Sequence, residues 1–298
     1  MHWSLSYQGT SNALKNQRVT FKMKKFFAFV AVAMLATTAF AQGTLKTYGN
    51  CCFKLHVYNS NDVMADASYI VETPNSLVTL EEPLFKTALT EFNHIVDSIG
   101  KPVADRIIDY HEGGNPVNAT VRAEGMTKFM TTGAYDAMMQ GFHKSFGDKI
   151  VDRAKGQTKE IAFGDTLKVD GVDYVFNHGS QSDFPAAAIL IGGKYLLQHW
   201  APGKAHMNAL QLANRQAVDA ELAASRKALQ SGAEYFLGSH GGFATKEAMK
   251  FKVGYLETLK KLLAENSSSA NFVEALKKAY PNLPGEQGLE ALAANLYK

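Results

Sequence analysis

The amino-acid sequence predicts an α/β protein in which two β-sheets stack face to face and helices cover the outer faces. Three observations lead to this. Short β-rich runs fill 53–80 and return over 160–197. Each block of strands is followed by segments with helical spacing. Apolar residues make up 46% of the 298 residues and charged ones 20%, a globular balance that excludes disordered, collagen-like and coiled-coil chains. Two cysteines exclude a disulfide scaffold and a Cys-based structural zinc site.

The elements follow in order. Runs 53–58, 68–72 and 77–80 are β-rich and are separated by Asn, Asp and Pro turns. Pro83 opens a helix in which Leu84, Leu89, Phe92, Ile95, Val96 and Ile99 fall near helical spacing, and Gly100 closes it. The β-branched run 103–108 reads as a buried strand, 119–123 as a weaker one, and 133–146 as a helix. Segments 160–163, 166–169 and 172–176 form a meander with Asp170-Gly171 as its hairpin turn. Segments 186–191 and 194–197 form a second hairpin around Gly192-Gly193. A long Ala/Leu helix spans 208–231, a short strand 235–237 and a helix 245–265. After a polar break at 267–270, helical sequence runs to Tyr297.

The first 41 residues read as an address. Met23-Lys24-Lys25 is a basic start, 26–35 is an unbroken apolar run of ten residues, and Ala39-Phe40-Ala41 has the A-x-A cleavage pattern. A membrane span needs about 20 apolar residues, so this run is too short for an anchor. The expectation is a secreted or periplasmic protein beginning near Gln42, with no stable membrane anchor and with 1–22 as a mis-assigned upstream segment. Within that segment and the signal lie five basic residues and no acidic ones. The remaining 26 basic and 28 acidic residues give the body no basic footprint for nucleic acid. Cys51 and Cys52 are adjacent, too close for an unstrained bridge to each other.

Four of the nine histidines share a position. His111, His178, His199 and His240 each lie just past the C-terminal end of a predicted strand, where α/β sheets form their ligand crevices. His2 and His94 are poor candidates, His56 and His143 read as structural, and His206 is second-rank. Glu112 beside His111 is a candidate general base. No G-x-S-x-G elbow, P-loop or dinucleotide fingerprint is present.

Four stretches resemble the metallo-β-lactamase superfamily, specifically its secreted hydrolase-like branch. SYIVETPNSLVTLEEPLFKTALTEFNHIVDSIGKPVADRIIDYHEGG (68–114) is similar to that family's opening strands, helix and metal loop. GDTLKVDGVDYVFNHGSQSDFPAAAILIGGKYLLQHW (164–200) is similar to its central meander. YFLGSHGGFATKEAMKFKVGYLETLKKLL (235–263) is similar to its final His loop and helix, and EALKKAYPNLPGEQGLEALAANLY (274–297) to its C-terminal tail. The resemblance covers about 53–298 and implies an αββα sandwich over 42–265 with a helical C-terminal tail over 266–298.

Set against the family's H-x-H-x-D-H metal motif, this chain reads Asp109-Tyr110-His111-Glu112-Gly113-Gly114. Asp109 takes the first His position and His111 the second. Gly113 and Gly114 stand where the Asp and last His would be. His178 is displaced from the third ligand position, His199 replaces the bridging Asp, and His240 matches the final His. The resemblance therefore implies a degenerate metal site holding at most one zinc. One outcome is a rebuilt mononuclear centre of His111, His199 and His240, with His178 or Asp109 helping and Glu112 or Asp109 in proton transfer. The other is a chain without metal. The functional expectations are an exported hydrolase-like protein, weakly active or inactive, a non-enzymatic protein that binds a small ligand or partner in the same cleft, and an assembly role for the 208–231 helix. The superfamily hosts many chemistries, so no substrate is implied.

Overall fold

The computed structural model describes residues 42–49, 52–116, 119–153, 158–182 and 186–298. The expected export signal, the upstream segment and Cys51 lie outside these residues. The first sheet opens with β1 (Thr44–Gly49), β2 (Lys54–Asn59), β3 (Ala67–Glu72) and β4 (Leu77–Leu80), paired antiparallel in that order. Helix α1 (Lys86–Ile99) leads to β5 (Val103–Ile107), which lies parallel to β4. Next come β6 (Thr120–Ala123), α2 (Met126–Met130), α3 (Gly133–Phe146) and β7 (Lys159–Ile161), the last completing a seven-stranded sheet in sequence order.

The second sheet contains β8 (Thr166–Val169), β9 (Val172–His178), β10 (Ala187–Ile191) and β11 (Tyr195–Trp200) as an antiparallel meander. After α4 (Arg215–Gln230), β12 (Tyr235–His240) joins parallel to β11, and β13 (Gly242–Thr245) turns back along it. Three helices close the chain: α5 (Lys246–Glu265), α6 (Ser269–Ala279) and α7 (Leu289–Leu296).

Period-two alternation decides which side chains meet. Leu55, Val57, Tyr69, Val71, Val78 and Leu80 face Tyr174, Phe176, Ile189, Ile191, Leu197 and Leu237 in a core between the sheets. The intervening residue Ile70 joins Tyr58, Phe92 and Val96 beneath α1 on the outer face. On the other side Leu196 and Phe236 pack under Ala228 of α4 and Met249 of α5. The layers are therefore α, β, β, α. The C-terminal helices share a further cluster with α4 and α5, in which Leu256, Leu259, Phe272, Leu276 and Leu292 are fully buried.

Several boundaries differ from those predicted. β11 and β12 run on to Trp200 and His240 because their parallel pairing continues from Tyr195 opposite Tyr235 to Trp200 opposite His240. α4 begins at residue 215 rather than 208. The Asn214 side chain caps it by accepting the Ala217 N–H, and Asn208 instead accepts the N–H groups of Leu210 and Gln211 in a turn. β1 escapes sequence prediction because it is exposed along nearly its whole length and so shows no apolar alternation, while α2 and β13, with five and four residues, are too short for a period. Among the described residues no helix is long and apolar enough to cross a membrane.

Candidate metal centre

The loop after β5 carries His111, and a buried carboxylate fixes its backbone. Glu81 follows β4 with a left-handed φ of 59° and accepts N–H groups from Asp109 (2.9 Å), Tyr110 (3.1 Å) and His111 (2.8 Å). Burial pushes its carboxyl up to about 7, against the pull of those three donors. His199 and His240 come from the other sheet, His199 as the penultimate residue of β11 and His240 as the last residue of β12.

The two sheets meet at this rim. Asp66, in the β2–β3 loop, forms an isolated antiparallel bridge with His240, and the Gly241 N–H donates to the Ala65 carbonyl at 2.9 Å. His111 and His240 face each other with their Nε2 atoms 3.0 Å apart. One nitrogen from each of His111, His199 and His240 lies within 4.8 Å of the others. Two aromatic rings support the group: Trp200 stacks on His240 at 4.3 Å between centroids and Tyr110 on His199 at 4.4 Å. Burial pushes the His111 imidazole down to about 3, so it is neutral at pH 7, the form a metal ligand must have.

This arrangement fits a zinc-class cation. The Met64 carbonyl can only accept, so the His240 Nδ1 bonded to it at 2.9 Å carries a proton, which leaves Nε2, the atom that faces His111, as the one a metal would take. Nitrogens bound at about 2.0–2.1 Å to one tetrahedral zinc lie roughly 3.3 Å apart, near the observed pair. Three imidazoles with one open position is a catalytic zinc donor set.

The other candidates fall elsewhere. His178 is the exposed last residue of β9 and stacks on Phe163 at 4.0 Å, outside the group of three. Glu112 is buried in ion pairs with Arg122 (2.8 Å) and Arg153 (3.3 Å), which occupy the lone pairs a general base would use. Asp109 is fully buried and accepts the Ala187 N–H at 2.6 Å, anchoring the start of β10. His206 bonds the Tyr255 hydroxyl at 3.0 Å. Glu81, Asp66 and Trp200 were not among the candidates. Nothing local in sequence marks them, because each acts on residues far along the chain.

This two-sheet sandwich, with its histidines at the strand-end rim, is the metallo-β-lactamase fold. No protein-family model and no curated protein matches the sequence. Solved structures do match. The metallo-β-lactamase DIM-1 is similar at 11% identity and TM-score 0.53 over 74% of this chain and 99% of that one. A metallo-β-lactamase family protein from Thermus thermophilus gives 14% identity and TM-score 0.54 over 85% of this chain and 91% of that one. The inverting sec-alkylsulfatase Pisa1 from Pseudomonas sp. gives 13% identity and TM-score 0.55 over 81% of this chain, which spans 48% of that enzyme.

Proposed function

We propose that the protein is an exported, metal-dependent hydrolase that holds a single zinc at His111, His199 and His240. The observation that supports this best is the gathering of three imidazoles from three strand ends to within 4.8 Å. When bound, zinc supplies Lewis acidity, polarising a substrate oxygen and bringing the pKa of water toward neutrality. The chain's own residues do the rest. Glu81 holds the His111 backbone in place, and Trp200 and Tyr110 hold the His240 and His199 rings by stacking. Glu112 and Asp109 are tied up in the scaffold and take no part in proton transfer.

Substrate would enter beside His199. A cavity of about 330 Å³ runs from His199 and Trp200 along the outer face of β9, β10 and β11 beneath α4. Val175, Leu190 and Leu196 supply an apolar wall, with Asn177, Gln198 and Lys227 for polar contacts. This suits a small substrate with an apolar body.

Zinc titration against a competing chelator tests the reading. One zinc per chain is expected, with affinity reduced at least tenfold in His111→Ala, His199→Ala and His240→Ala. A protein that takes up no zinc, or binds it unchanged in all three variants, contradicts it. N-terminal sequencing of the exported protein is expected to begin at Gln42.

A further inference from the structure

Behind the imidazole pair sits a carboxylate that the metal reading leaves unused. Asp66 is 2% exposed. Its Oδ1 lies 3.1 Å from Nδ1 of His240 and 3.8 Å from Nδ1 of His111, while the two rings face each other through their Nε2 atoms. Its Oδ2 accepts the Leu84 N–H at 3.3 Å, which fixes the carboxylate plane. The loop presenting it is closed on itself. Ser60 donates its N–H and hydroxyl to the Asp66 carbonyl at 3.0 and 2.9 Å, and Asp62 accepts the Met64 N–H at 2.8 Å. Asn61 and Ala65 both sit at φ 55°, a strained conformation for residues with side chains. Among the described residues Nδ1 of His111 is buried with no hydrogen-bond partner, and this carboxylate lies 3.8 Å from it.

We infer that Asp66 is a shared positioning residue for the metal centre, one carboxylate backing two ligand imidazoles. The inference rests on the zinc reading above. On His240 the carboxylate reinforces the tautomer that the Met64 carbonyl already fixes at 2.9 Å; behind His111 Nδ1 a negative acceptor favours the tautomer with hydrogen on Nδ1 and leaves the Nε2 lone pair for the metal. Without it, His111 lowers its energy by moving its hydrogen to Nε2 and donating to His240, which closes the site to a cation. Carboxylate–histidine–zinc arrangements generally pair one carboxylate with one ring, and their loss reduces metal affinity about 10–100-fold. Here a single substitution acts on two rings from two different sheets.

The test compares Asp66→Asn with Asp173→Asn, the same chemical change at a half-exposed β9 carboxylate paired with Lys168, away from this loop and both rings. The carboxamide introduced by Asp66→Asn keeps an oxygen for the Leu84 N–H but turns an NH₂ group toward the histidines. Expected is a zinc affinity at least tenfold lower for Asp66→Asn and within about twofold of the unmodified protein for Asp173→Asn. Imidazole ¹H–¹⁵N spectra of the zinc-loaded unmodified protein supply a readout that needs no variant. They are expected to show solvent-protected Nδ1 protons on both His111 and His240, with the His111 signal moving upfield in Asp66→Asn. Equal zinc affinity in Asp66→Asn and unmodified protein, or a zinc-loaded His111 that carries its proton on Nε2, overturns the inference and leaves the three-histidine centre standing. Failure of the unmodified protein to bind zinc overturns the centre itself.

Discussion

Glu81 shows how one side chain can set the position of a site. Three N–H groups from the loop carrying His111 converge on its carboxylate. Removing it strands buried donors, each costing about 1–3 kcal/mol. Glu81→Ala is therefore expected to lose at least about 2 kcal/mol in urea unfolding and to weaken zinc binding, with Glu81→Gln milder on both counts. A second carboxylate gives a pH signature. The Lys101 ammonium at 2.8 Å, aided by His56 at 2.9 Å and by Lys54, holds Glu72 down to about 2. A depressed carboxyl stabilises the fold above its unfolded value of 4.5 and loses that contribution as pH falls toward 2. The gap in unfolding midpoint between the unmodified protein and Glu72→Gln is expected to be constant above about pH 5 and to close as the solution is acidified through that window. A gap that does not change with pH would contradict this. At this scale the sequence exposed the histidines, because strand ends can be read from local pattern. It did not expose Asp66 or Glu81, nor the ion pairs of Glu112 with Arg122 and Arg153, because such contacts are made only on folding.

The site depends on the elements meeting in register. β11 and β12 pair parallel with Trp200 opposite His240, so one register places both second-sheet histidines at the same rim. Gly238 makes this close approach possible. A methyl there would collide with the Ala201 backbone nitrogen and the His240 carbonyl, and the Tyr69 hydroxyl already donates to the Gly238 carbonyl at 2.7 Å from the facing sheet. Gly238→Ala is expected to destabilise by about 1–3 kcal/mol, in the range for overpacked interiors. It should also weaken zinc binding by displacing His240. Normal stability with normal zinc affinity would show that the register tolerates the methyl. Strand alternation made most of β2–β5 and β8–β10 legible in sequence. The final residues of β11 and β12 were missed because their strand character comes from the neighbouring strand, not from their own composition.

Across the whole molecule, the C-terminal helices are built into the layer that covers the second sheet. Phe272 and Leu276 of α6 and Leu292 of α7 are buried against Leu256 and Leu259 of α5, and α5 itself packs on the sheet through Met249. Leu276→Ala is expected to lose about 2–5 kcal/mol, with circular dichroism and tyrosine fluorescence still unfolding together. Two separated transitions would show that the tail folds independently. The αββα order was legible from alternating blocks of strand and helix. What brings His111 within reach of His240 is the stacking of two sheets whose loops bridge at Asp66 and Ala65, and no local pattern encodes that. X-ray absorption at the zinc edge of the loaded protein tests the central claim most directly. The account predicts one zinc per chain ringed by three imidazole nitrogens at about 2.0–2.1 Å. A protein that retains no zinc, or a spectrum with fewer than three imidazoles around the metal, would contradict it.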